Sequence, residues 1–261
     1  MRSWLAAALI AALSLSPAAA GAAPDGQTLI RKSDSTIKAD TERTEYRMEL
    51  VGDGGNVEQT RRFITYFKRN GEEERTLQKF LGPPVFEGTG LLIVDHNRAQ
   101  NDIWLYLPSS RRIRRVSGQE KSNRYMGTEF SYEDFEDYQI SQYDFTYKGE
   151  RDCNDGQRCR VVDAMPATEA EKSSSGYSHK VYWLEERSRY PVRVEFYGSQ
   201  NKPRKVLTSS DLEQVNGYWR PRRQVMHNLE NGRATRLEIT DREVDQPLKD
   251  FYVTKRFLRR E

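Results

Sequence analysis

Four arginines, Arg111, Arg112, Arg114 and Arg115, surround Ile113 shortly after the aromatic run Trp104-Leu105-Tyr106-Leu107-Pro108. Guanidinium groups at this density offer planar, multi-donor cations suited to phosphates, lipid headgroups or an acidic protein surface. An internal alternative stands beside that reading, because the acidic run Glu129 to Asp137 could pair with the same arginines. Glu133 with Asp134, and Glu136 with Asp137, resemble acid–base pairs, but a chain with 39 Asp and Glu supplies such pairs by chance. His96, His179 and His227 stand far apart, without H-x-x-x-H or mixed Cys/His spacing, so no metal site is expected. There is no G-x-S-x-G elbow, P-loop or dinucleotide fingerprint. Gly88-Thr89-Gly90 precedes a strand, where its glycines serve a turn or bulge. No catalytic residue and no cofactor is expected.

Cys153 and Cys159 are the only cysteines, and the turn sequence Asn154-Asp155-Gly156 lies between them. In an oxidising compartment the pair closes a hairpin tip as a disulfide, which for so short a loop stabilises by about 2 to 3 kcal/mol. A redox-active pair is the weaker alternative, since the spacing is not C-x-x-C and no βαβ pattern surrounds it.

The segment that delivers the chain to such a compartment is at its start. Arg2, the apolar run Trp4 to Leu15, Pro17 and Ala18-Ala19-Ala20 form an export signal over residues 1–20 with an A-x-A cleavage site. The apolar core is much shorter than the roughly 20 residues of a membrane-spanning helix. Residues 21–261 are then one domain in the periplasm, with at most peripheral or transient membrane contact. A net charge of +3 against 42 basic and 39 acidic residues argues against nucleic acid as a partner.

From Glu45 onward, short β-branched and aromatic runs alternate with turn signals such as Asp53-Gly54-Gly55-Asn56, Asn70-Gly71, Asn216-Gly217 and Asn231-Gly232. About a dozen strands are expected, including Tyr138 to Tyr147, in a meandering antiparallel sheet. Pro24 to Asp40 is the main helix candidate, with Leu29 and Ile30 on its buried face, and Ser131 to Tyr138 a short second one. Thr168 to Gly176 reads as an exposed loop and Lys255 to Glu261 as a loosely held tail. The strands carry bulky apolar residues on both faces: Ile103, Leu105 and Leu107 alternate with Trp104 and Tyr106, and Leu91 and Ile93 with Leu92 and Val94. Either these are well-packed central strands, or the sheet curves around an apolar cavity that a ligand fills.

Gly88-Thr89-Gly90-Leu91-Leu92, Asp95, Trp104 to Pro108, the arginine run and Met126-Gly127-Thr128-Glu129-Phe130-Ser131-Tyr132-Glu133-Asp134 together resemble the shared core of the outer membrane lipoprotein-sorting protein family, LolA-like periplasmic carriers. The resemblance covers Phe80 to Phe135 closely, with Thr128-Glu129 where the family often shows Ser-Asp. It implies a mainly β fold, a curved antiparallel sheet or half-open β-barrel with a few helices covering its concave face. It also implies a non-enzymatic carrier that takes lipoprotein acyl chains or another lipid in an apolar cavity and shuttles it toward the outer membrane. An RND-type inner-membrane transporter is the implied partner, which leaves a second reading as an accessory subunit of such an exporter without cargo of its own. By alternation, Leu91, Ile93, Trp104 and Tyr106 are expected on the lipid-facing side, and Arg111, Arg112, Arg114 and Arg115 form the headgroup or partner patch.

Overall fold

The fold is that of a computed structural model, which describes residues 24–96, 101–136, 140–153 and 156–260. The expected export signal, and Asn154 and Asp155 of the expected turn, lie outside the described residues. Thirteen strands are described: β1 Thr41–Val51, β2 Val57–Asn70, β3 Glu73–Gly82, β4 Gly90–Asp95, β5 Asp102–Leu107, β6 Arg112–Arg115, β7 Tyr143–Asp152, β8 Arg158–Pro166, β9 His179–Glu185, β10 Pro191–Tyr197, β11 Pro203–Val215, β12 Tyr218–Asn228 and β13 Ala234–Val244. They form one antiparallel sheet in the order β6-β5-β4-β3-β2-β1-β13-β12-β11-β10-β9-β8-β7.

Two meanders therefore meet where β1 pairs with β13, with Met48 opposite Leu237. The sheet ends at β6 and β7 and does not close into a barrel. Local chemistry drives the hairpins: Asn216 and Gly217 both take positive φ, 50° and 88°, the two-residue turn whose twist matches the flanking strands. Arg112, Arg114 and Arg115 on the β6 edge discourage another strand from adding there.

Each face of the sheet has its own core. The larger one, on the face called inner here, contains Met48, Phe63, Phe80, Leu91, Ile93, Ile103, Leu105, Met226 and Leu237. Helix α1, Gly26–Ile37, joins it through Leu29 and Ile30, starting where the Asp25 carboxylate accepts the Thr28 N–H at 2.8 Å. Against α1, a Cβ at Gly26 would lie 2.6 Å from the Phe145 carbonyl oxygen, so only glycine allows this approach to β7. On the outer face, Leu77, Leu92, Val94 and Tyr106 pack beneath Val253 and Leu258 of the C-terminal segment.

Topology dictates the rest. The chain leaving β6 at one edge must reach β7 at the opposite edge, so the connecting strap runs across a face of the sheet. It crosses the inner one, where its Tyr125, Phe130 and Tyr132 enter the core.

Four local expectations are corrected. Residues 168–176 are not a loop: Thr168 caps helix α2, Glu169–Ser174, by accepting the Glu171 N–H at 3.2 Å. The C-terminal tail is not loose: helix α3, Lys255–Leu258, buries Leu258 completely, and Lys79 donates to the carbonyls of Phe257 and Arg260. The short helix near Ser131 is a single 3-10 turn, Tyr132–Phe135. Strand β7 begins at Tyr143 and runs on to Asp152, later than its aromatic residues suggested.

Candidate functional site

A cavity of about 150 Å³ lies between the inner face and the strap. Its floor comes from β1 to β4, where cross-strand register places side chains in rows. Phe63 and Tyr46 form one row, their rings stacked at 4.5 Å, with Phe80 continuing it beyond the cavity. Leu91, Gln78 and Thr65 form the next, and Ile93 faces Thr76 beside it. Leu207, Gln224 and Leu237 close the far side, and Phe130, Asp134 and Phe135 of the strap form the roof.

Strap residues are tied down individually. Arg61 of β2 is buried, stacks its guanidinium on Phe86 at 3.8 Å and donates to the Met126 carbonyl at 2.7 Å. Glu129 accepts from Asn228 Nδ2 at 2.8 Å, pairs with Arg124, and its backbone N–H donates to Thr235 Oγ1 at 2.9 Å. Asp134 accepts from the Ser131 N–H at 2.7 Å and from the Tyr177 hydroxyl at 2.8 Å, with Lys205 Nζ at 3.5 Å. Glu133 accepts from Ser175 Oγ and the Gly176 N–H at 2.7 and 2.9 Å. Burial raises the Glu133 pKa above the usual carboxylate range, against the opposing pull of Lys180. For Lys180 burial works in the lowering direction and is outweighed by Tyr143, Tyr182, Glu133 and Asp134, so its pKa is raised. The strap motif is thus a set of anchors, and Thr128 fits it through a 2.7 Å bond to the Tyr125 carbonyl.

The residues expected at the ligand divide between the two faces. Leu91 and Ile93 line the cavity. Trp104 and Tyr106 do not: they lie on the outer face, where Tyr106 is buried with Leu92 and Val94, and Lys255 Nζ stands 3.1 Å from the centroid of the Trp104 ring. Alternation fixes which residues of one strand share a face, but the phase between strands comes from pairing. Leu91 is opposite Leu105, and Leu92 opposite Trp104. The inward residues of β5 are therefore Ile103 and Leu105.

The arginines separate as well. Arg114 pairs with Glu120 at 3.0 Å and Arg115 with Asp102, while Arg111 and Arg112 are exposed and have no ion-pair partner among the described residues. None of the four pairs with the described part of the acidic run, where Glu129 pairs with Arg124 and Arg233, Asp134 with Lys205 and Glu136 with Lys121, and Glu133 accepts from Ser175 and Gly176. Cys153 and Cys159 form a disulfide, their Cα atoms 5.5 Å apart. His96 sits between Glu73 and Asp102, and His179 stacks on Tyr197 at 4.2 Å. No group of three or more His, Cys, Asp or Glu placed to hold a metal occurs among the described residues.

Sequence reading missed Phe63, Gln78, Gln224 and Leu237. A usable signal existed for Gln78, a polar residue at an inward position of a strand whose next inward residue is Phe80.

Comparison with known proteins places this architecture. No curated protein matches the chain. A family model described only as an uncharacterised protein matches residues 72–260. Among solved structures, a domain from Vibrio parahaemolyticus provisionally described as an outer membrane lipoprotein-sorting protein is 28% identical, with a TM-score of 0.82 over 90% of this chain and 98% of that one. A DUF1329 family protein from Desulfovibrio piger is 26% identical, with a TM-score of 0.82 over 89% and 97% of the two chains. A LolA superfamily protein from Nitrosomonas europaea, 18% identical over 90% of this chain and all of that one, shares the fold with a TM-score of 0.68. The chain belongs to the family that this model describes, and its fold is LolA-like.

Proposed function

We propose that the protein is a non-enzymatic periplasmic carrier that holds acyl chains of a lipoprotein or another lipid between the sheet and the strap. The observation that carries this reading is the cavity itself: an apolar floor of Phe63, Leu91 and Ile93 is covered by Phe130 and Phe135, side chains of a segment that crosses the sheet without joining it. Burying acyl carbon contributes roughly 0.8 kcal/mol per methylene before ordering costs. At about 150 Å³ the cavity holds a benzene-sized group, below the roughly 300 Å³ at which ligand pockets begin. A full acyl chain therefore enters only as Phe130 and Phe135 move off the floor. The lipoprotein-sorting description of the Vibrio relative supports the same class of cargo. Among the described residues no helix is long and apolar enough to cross a membrane, which fits a partner that meets membranes only transiently.

Native mass spectrometry of protein purified gently from a periplasmic extract tests the reading. Bound lipid is expected on the wild type and reduced on Leu91→Asp. Bare protein that also fails to take up a fluorescent phospholipid would sink it.

A second reading, docking to an RND-type exporter without its own cargo, is favoured by Arg111 and Arg112, exposed at the start of an edge strand and without an ion-pair partner among the described residues. Reversing Arg111 and Arg112 to Glu separates the two. Loss of transporter capture with retained lipid uptake assigns docking to this patch.

A further inference from the structure

The cavity is not uniformly apolar. Gln78 is 2% exposed and lines it, and its Nε2 has no hydrogen-bond partner among the described residues. A buried amide donor left without an acceptor costs about 1 to 3 kcal/mol, so retaining one amid Phe63, Leu91 and Ile93 calls for an acceptor that arrives with something else. Cross-strand neighbours do not supply it: Gln78 is flanked by Leu91 on β4, which has no side-chain acceptor, and by Thr65 on β2, whose hydroxyl makes no hydrogen bond with Gln78 Nε2.

The charges around the cavity limit what that acceptor can be. Lys, Arg and His are absent from the lining, whereas Asp134 is part of it. A free fatty-acid carboxylate buried here would lack a cation of its own and would face the Asp134 carboxylate. An unpaired buried ion is penalised by several kcal/mol. A neutral carbonyl oxygen meets neither obstacle and accepts from an amide N–H.

We propose that the cavity selects acyl chains attached through a neutral carbonyl, an ester or amide, over free fatty acids, with the Gln78 side-chain amide donating to that carbonyl. The inference rests on the acyl-carriage reading and adds to it a chemical class and a specificity-determining residue. In this arrangement the carbonyl sits over the Gln78 and Thr65 row, and the hydrocarbon runs along Leu91, Ile93 and Phe63. One hydrogen bond contributes about 1 kcal/mol, a roughly fivefold change in affinity.

The test uses the full chain and two probes of equal length, methyl octanoate labelled with 13C at the carbonyl and octanoate at pH 8. NMR titration is expected to show the ester binding the wild type at least tenfold more tightly than octanoate. Its carbonyl resonance should move downfield on binding the wild type and stay put with Gln78→Leu, which should bind the ester about fivefold more weakly. Gln78→Leu removes an unsatisfied donor without opening a void, so its Tm is expected at or above that of the wild type. If that variant does not fold, Gln78→Met replaces it, and the carbonyl shift in the wild type remains decisive. Equal affinity for ester and octanoate overturns the proposal and leaves carriage standing. An unmoved carbonyl resonance on a bound ester does the same, because Gln78 would then be satisfied by water. A wild type that binds neither probe and takes up no fluorescent phospholipid removes both the proposal and the reading beneath it.

Discussion

Leu258 occupies the space that a side chain on Gly90 would need: a Cβ there would lie 2.7 Å from Leu258 Cδ1 and 3.0 Å from the Gln78 carbonyl oxygen. The Gly88-Thr89-Gly90 motif thus includes a docking notch for the last helix, not only a turn. Gly90→Ala is expected to push α3 off the outer face and to destabilise by about 2 kcal/mol, the usual scale of overpacking. Faster proteolysis at the C terminus and a lower Tm would register it. Leu258→Ala in the same chain should recover part of the loss, since Leu258 is the movable half of the clash. Full additivity of the two substitutions would show that they do not meet.

Arg61 fastens the strap to β2 through its bond to the Met126 carbonyl, at a residue held at φ 48°. A buried charge-assisted hydrogen bond contributes about 2 kcal/mol, and Arg61→Met keeps much of the packing while deleting that bond. Hydrogen exchange at the amides of Tyr125 and Thr128, which bond to the Phe130 and Tyr125 carbonyls, should accelerate by about tenfold. Uptake of a fluorescent phospholipid should accelerate with it. Unchanged exchange at both amides would show that the strap is held elsewhere.

The strap also carries a pH dependence. Burial raises the folded-state pKa of Glu133 above its ordinary value of 4.5. The folded protein therefore keeps this proton to higher pH than the unfolded chain. The stabilisation linked to it is fully present below pH 4.5 and is lost as pH rises through the raised value. Glu133→Gln cannot ionise, so its Tm relative to the wild type should climb as the pH goes from 4 to 7. A constant or falling difference across that window would mean that Lys180 and the Ser175 and Gly176 donors outweigh burial.

Much of the sheet was legible because its signals are local. Asn216-Gly217 encodes its own turn, and runs such as Asp102 to Leu107 encode strands whatever they pair with. The strap was only partly legible. Its residues resembled a family motif, but their work is done through partners 40 to 100 positions away, such as Ser175 for Glu133 and Asn228 for Glu129. The misreading of the C-terminal tail has a physical cause. Lys255 to Leu258 is too short and too basic to look like a helix that would persist alone, and it is fixed by Gly90, Lys79 and Trp104 on the sheet. Long-range pairing likewise decided which apolar residues of β5 face the cavity.

That last point gives a direct contrast between Trp104 and Leu91. Both are bulky residues on neighbouring strands, yet Trp104 belongs to the outer cluster beneath Lys255, and Leu91 to the cavity floor. Trp104→Ala should release α3, losing a cation–π contact of about 0.5 to 1 kcal/mol along with the packing of the indole, and should leave lipid uptake within twofold of the wild type. Leu91→Ala should lower affinity for a bound acyl chain by about tenfold, from lost contact with the hydrocarbon, while the C terminus stays protected. Measuring tail proteolysis and phospholipid uptake on both variants gives a crossed result. If Trp104→Ala weakens uptake as much as Leu91→Ala does, the ligand lies on the outer face, where C-terminal residues rather than the strap would have to make way for it.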